Sequence, residues 1–163
     1  MTSSKYPSTL LNFSLGFIAG FLATLLFHQV IMALLWKIGM APGPPFQITP
    51  RPPFGIPAVF SLAFWGGIWG ILFAYADRYF PHNVNYWLTA LVGGSILPSL
   101  VALLVVAPLK GGAVGAGWNP HIWLFAVIVN GSWGIGTGFL LLELRRFCGF
   151  VNSRFDSNIP MGI

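Results

Sequence analysis

The sequence predicts an all-α membrane protein, a single domain over residues 1–163 built as a bundle of four transmembrane helices with short loops and both termini cytoplasmic. The first ground is composition. Of 163 residues, 56% are hydrophobic and 7% charged, whereas a soluble domain carries roughly a quarter charged residues. A surface so poor in charge excludes a water-soluble globular enzyme. The second ground is spacing. The charged residues leave long uncharged intervals, each sufficient for the about 20 apolar residues, at about 1.5 Å rise apiece, that cross a bilayer. Spans are expected at about Leu10–Trp36, Pro57–Tyr79, Asn85–Ala107 and Pro120–Leu142. The third ground is the placing of basic residues. With an even number of spans, Lys5, Arg78, Arg145, Arg146 and Arg154 share one side, and Lys37, Arg51 and Lys110 the other. The positive-inside rule puts the richer side in the cytoplasm. The net charge of +5 and pI near 9.9 therefore orient the chain and do not call for a nucleic-acid partner.

The first span exceeds the about 7–15 apolar residues of a signal peptide and leads into "WKIGMAPGPP", so it reads as a retained anchor. It carries Gly16 and Gly20 as a GxxxG, with Thr24 extending the stripe. Helices in lipid associate by close packing, which small residues at this spacing permit. His28-Gln29 is the span's polar point, read first as hydrogen-bonded structure. Haem or metal ligation would need a second ligand at the same depth, for which His121 is the candidate, and neither cofactor nor metal is expected.

Seven prolines between Pro42 and Pro57 predict a stiff polyproline-like loop over residues 41–57. It serves either as a spacer or as a docking strip anchored by Phe46 and Phe54. In the second span, Gly66, Gly70 and Ala74 form another small-residue stripe. Trp36, Trp87, Trp118 and Trp123 suit the interfacial belt, but Trp65, Trp69 and Trp133 lie too deep for it. Their N–H groups lack partners in hydrocarbon, so they are expected to face protein.

The short connection "FPHNVN" makes the second and third spans antiparallel neighbours. In the third span Ser95 and Ser99 flank Pro98, which removes the bond to the Gly94 carbonyl and predicts a kink. The loop "LKGGAVGAGWN" reads as flexible. Asn130, Gly134 and Gly138 stripe the fourth span, with Ser132 and Thr137 nearby. Asp77, Arg78, Glu143, Arg145 and Arg146 sit at span ends and read as end-anchoring ion pairs, with arginine complementing the helix dipole. The tail over residues 148–163 is polar and expected to be poorly ordered. Cys148 stands alone, which leaves no intramolecular disulfide or CxxC site.

Gly67-Ile68-Trp69-Gly70-Ile71 matches Gly131-Ser132-Trp133-Gly134-Ile135, and each match is followed by an acid and an arginine. The match suits a two-plus-two parallel repeat, although the first and third spans show no comparable similarity. It also leads to an expectation that the second and fourth spans touch, with Trp133 near Gly66 and Gly70 and Trp69 near Gly134.

At "FIAGFLATLLFHQ", "PPFGIP" and "SLAFWGGIWG" the chain resembles an uncharacterised family of small four-span bacterial membrane proteins. The resemblance covers mainly the first two spans and the proline-rich loop. It implies a bacterial inner or internal membrane and supplies no activity. The membrane-embedded glutamate of small multidrug transporters has no counterpart in the first span.

The spans contain no paired aspartates, Ser/His dyad or HExxH helix that would activate water in a dry site, so no enzyme is expected. The expected function is structural or accessory, with membrane lipids, further copies of the chain or a larger membrane complex as partners. The alternative is a small channel or transporter whose polar path uses His28, Gln29, Ser95, Ser99, Asn130 and Ser132. The same six residues equally suit hydrogen bonds between helices.

Overall fold

The computed structural model describes residues 9–157, with side chains described for residues 9–149. Four helices are each long and apolar enough to cross a membrane: Thr9–Lys37, Ala58–Tyr79, Asn85–Leu109 and Pro120–Gly149. The fourth continues unbroken to Ser157. The tail expected to be poorly ordered is thus helical through that residue, while residues 158–163, and Lys5 at the other terminus, lie outside the described residues.

Two of the helices widen locally. The first opens into a π turn over Thr24–His28, where the Gln29 N–H donates to the Thr24 carbonyl. Just before it, the Gly20 carbonyl accepts bonds from Thr24 Oγ1 at 2.9 Å and from Trp133 Nε1 at 3.0 Å. Side-chain donors entering the backbone ladder are a recognised cause of such local widening. The third helix carries Pro98 in its interior and has its own π turn at Ala102–Val106. The disturbance that proline introduces is absorbed within a helix that runs on to Leu109.

Glycine-to-glycine seams join the helices in pairs. Between the first and second, a Cβ placed on Gly20 would fall on the Gly66 carbonyl oxygen, and one on Gly70 would fall on that of Gly16. Between the third and fourth, a Cβ on Gly134 would strike the Ala90 carbonyl, and one on Gly94 would come within 2.5 Å of the Gly134 Cα. Backbone this close is reachable only where no side chain intervenes. The repeated motif therefore acquires a structural meaning, because Gly70 and Gly134, its corresponding glycines, each receive the backbone of the preceding helix.

The first and fourth helices then bring the two pairs together. The ring of Phe27 lies on Gly136, much as that of Phe17 lies on Gly67. The second and third helices, expected to be packed neighbours, meet at their connecting turn, where the rings of Phe80 and Tyr86 are 5.7 Å apart. Beyond that turn they line a cleft.

Both long loops are more structured than the sequence suggests. Pro50–Arg51 pairs antiparallel with Ile56–Pro57, and the Phe46 N–H donates to Gln29 Oε1 at 2.6 Å. The proline-rich segment is thus a small hairpin tied to the first helix, not an extended spacer. In the glycine-rich loop, Gly115, Ala116, Gly117 and Trp118 all take positive φ. This tight left-handed turn is closed by Trp123 Nε1 donating to the Gly115 carbonyl at 2.9 Å and by the stacked rings of Trp118 and Trp123, 5.6 Å apart.

Candidate functional site

Two features stand out at the level of side chains: a buried polar cluster at the Asp77 end of the helices and a long cleft reaching from there toward Lys110. In the cluster, Arg145 holds Asp77 with both prongs of its guanidinium, at 2.6 and 3.0 Å. Its Nε and Nη2 also donate to Asn12 Oδ1 at 3.0 and 2.6 Å. Asn12 Nδ2 in turn donates to the Ala74 carbonyl at 2.9 Å. Three helices are thereby fastened by one planar fork, a geometry that suits arginine and not lysine. Asp77 is 5% exposed.

Of the five charged residues read as end-anchoring ion pairs, four pair across or along helices, Asp77 with Arg145 and Glu143 with Arg146. Asp77 does not pair with its neighbour Arg78, whose guanidinium lies over the rings of Tyr75 and Tyr79 at 3.8 and 4.9 Å. Adjacent residues on a helix point apart, so the partner comes from another helix. Arg146 does pair with Glu143, at 2.5 Å, but on the exposed surface.

The second and fourth helices do touch, though not in the expected way. Phe73 meets Trp133 edge to face at 6.3 Å, and Asp77 meets Arg145. The Gly66/Gly70 face, expected to take Trp133, is filled by the first helix, with the Thr24 side chain over Gly66 and the Gly16 and Gly20 backbone over Gly70. Trp133, 4% exposed, instead hydrogen-bonds the Gly20 carbonyl, and the neighbours of Gly134 are Ala90 and Gly94, not Trp69. Trp69 packs partly buried against the core beside Trp133. Trp65 is 60% exposed, against the expectation that it faces protein.

Replacing Trp133 by Phe keeps most of the apolar contact and removes the one indole donor. We expect a loss of about 0.6–1.5 kcal/mol of stability, read as a lowered thermal midpoint. A neutral outcome would mean that the bond to Gly20 contributes nothing.

The cleft consists of two adjoining cavities. One, of about 550 Å³, lies toward Phe80 and Leu88. The other, of about 610 Å³, reaches Leu109 and Lys110. Trp69, Leu72, Pro98 and Trp133 line both, so the two cavities lie end to end along the same helices. Its walls are mostly apolar, with Thr24, His28 and Asn130 in the Lys110 half.

The six residues proposed as a polar path do not converge. Gln29 is buried and accepts from the loop at Phe46. Asn130 Nδ2 donates to Ser99 Oγ at 2.9 Å, joining the fourth helix to the third. Ser132 bonds back to the Val129 carbonyl at 2.7 Å. Ser95 is buried against Gly131. His28 and Asn130 alone of the six border the cleft. Among the described residues, no group of three or more His, Cys, Asp or Glu is placed to hold a metal ion.

Gly138 sits against the rings of Tyr86 and Phe73, which completes the placement of the glycine stripes. Sequence reasoning missed Asn12, Phe17, Phe27, Ala90 and Gly94. An asparagine about one turn before a GxxxG was the available signal for the first of these. Ala90 and Gly94 form a small-xxx-small pair that was open to the same reading as Gly16 and Gly20. No family model, curated protein or solved structure matches this chain.

Proposed function

We propose that the chain is an integral membrane protein of structural or accessory type, with both termini cytoplasmic in a bacterial membrane. In this reading it is non-catalytic and holds other membrane constituents against its helix faces. The observation that carries the reading is the contrast between its polar and apolar features. Asn12, Thr24, Gln29, Asn130 and Ser132 are spent on bonds to other side chains or to backbone, and among the described residues the Tyr86 and Thr137 hydroxyls are buried without a partner, while the large groove is mostly apolar. Intramembrane hydrogen bonds of that kind act as fastening between helices. The second helix adds exposed rings at Phe60 and Phe64, with the exposed Trp65 at the edge of the cleft, a surface suited to another helix or to lipid.

A channel or transporter is the second reading. It keeps His28 and Asn130 at the Lys110 half of the cleft and loses the other four residues, which face elsewhere or are tied into the packing.

Purification in a mild detergent, followed by mass analysis of whatever travels with the chain, tests the accessory reading. Stoichiometric polypeptide, pigment or lipid is expected. A chain recovered alone, together with solute flux that depends on His28 in reconstituted vesicles, would favour the transport reading instead.

A further inference from the structure

We infer that the cleft holds one acyl chain of an anionic phospholipid, with the lipid headgroup seated at Lys110. The inference rests on the membrane reading above and adds an occupant to it. Size is the first argument. The two adjoining cavities, about 550 and 610 Å³, each fall in the about 300–1,000 Å³ range of small-molecule sites. A transmembrane helix roughly 10 Å across and 30 Å long fills roughly 2,400 Å³. The groove is also elongated along the helices and apolar through its middle, where Leu72, Leu97 and Trp133 offer no charge to a ligand.

Charge complementarity is the second argument. Lys110 is exposed on the rim of the cleft. The two acids with described side chains, Asp77 and Glu143, are occupied by Arg145 and Arg146. Asp77 also belongs to the opposite end of the third helix, which begins at Asn85, and the run from Asn85 to Lys110 is about 37 Å by helical rise. A lysine at a bilayer boundary with no acid nearby attracts a phosphate, and a basic residue of this kind favours an anionic over a zwitterionic lipid by roughly fivefold.

The third helix also supplies a position at which the cleft can be plugged. Gly93 lines it, and a Cβ built there meets nothing within 4 Å. Gly93→Phe therefore fills the groove without touching the Gly94–Gly134 seam.

The test is native mass spectrometry of the full chain in detergent, titrated separately with palmitoyl-oleoyl phosphatidylglycerol and phosphatidylcholine. One phosphatidylglycerol per chain is expected, preferred roughly fivefold. Lys110→Glu is expected to abolish that preference, and Gly93→Phe to remove binding of both lipids. Lys110→Glu changes an exposed side chain, so its result stands even if the glycine variant does not fold. An unchanged preference in Lys110→Glu, or unchanged lipid counts in a folded Gly93→Phe, overturns the inference. Loss of a co-purifying polypeptide from Gly93→Phe with lipid counts unchanged would place a partner helix in the cleft. That result overturns the lipid inference and leaves the accessory reading standing. Lipid binding as expected by a chain that carries no other constituent supports the inference.

Discussion

Gly20→Leu is expected to prevent recovery of a folded, monodisperse protein or to lower its thermal midpoint by roughly 6–12 °C, the equivalent of about 3 kcal/mol. A side chain at Gly20 would begin inside the Gly66 carbonyl oxygen, and its next neighbours are the Gly70 Cα at 2.8 Å and N at 3.0 Å. These are backbone atoms, which no rotamer change can move aside. The two helices would have to separate, and the separation would spread. Gly20 also offers its carbonyl to Trp133 and Thr24, so the contact with the fourth helix would shift as well. Gly93→Ala is the matched control. It is a glycine in the same kind of helix with open space around its missing Cβ, and the substitution should lie within about 0.5 kcal/mol of neutral. Fluorescence-detected size exclusion after a heating series separates the two cases. A Gly20→Leu protein as stable as Gly93→Ala would show that the seam between the first two helices does not bear the packing.

The glycine stripes show how far the sequence reaches. Gly16, Gly20, Gly66, Gly70 and Gly134 are identifiable as close-packing residues because helical spacing alone puts them on one face. Spacing does not name the opposing face. The groove at Gly66 and Gly70 was legible, but whether a tryptophan ring or a glycine backbone fills it depends on the rotation of the first helix, which has no local signature. Trp65 and Trp133 make the same point. Both are tryptophans set deep in apolar runs, yet one reaches a carbonyl on another helix and the other stands exposed at the edge of the cleft. Depth can be counted along a chain; azimuth must come from the packed neighbours. Two of the polar candidates make the same point. Their partners, such as Ser99 for Asn130 and Phe46 N–H for Gln29, lie 17 to 31 positions away.

Arg145→Ala is expected to cost about 3–5 kcal/mol, the range found when one member of a buried ion pair is removed. The loss would come less from the attraction itself than from what remains. Asp77 would be left buried without its cation, and Asn12 Oδ1 would lose two donors. Three further variants separate these contributions. Arg145→Lys keeps the charge but cannot reach Asp77 and Asn12 together with a fork, so its stability should fall between wild type and the alanine variant. Asp77→Leu combined with Arg145→Met removes both charges and fills similar volume, and it should recover most of the loss. Arg78→Ala, which gives up an exposed guanidinium lying over Tyr75 and Tyr79, should cost no more than about 1 kcal/mol. A double-mutant cycle on Asp77 and Arg145 measures the coupling directly. Equal losses for Arg145→Ala and Arg78→Ala would mean that the cluster is no stronger than a surface contact. A large coupling would instead identify this fork as the point where the first, second and fourth helices are held together, leaving the third helix to define the open side of the cleft.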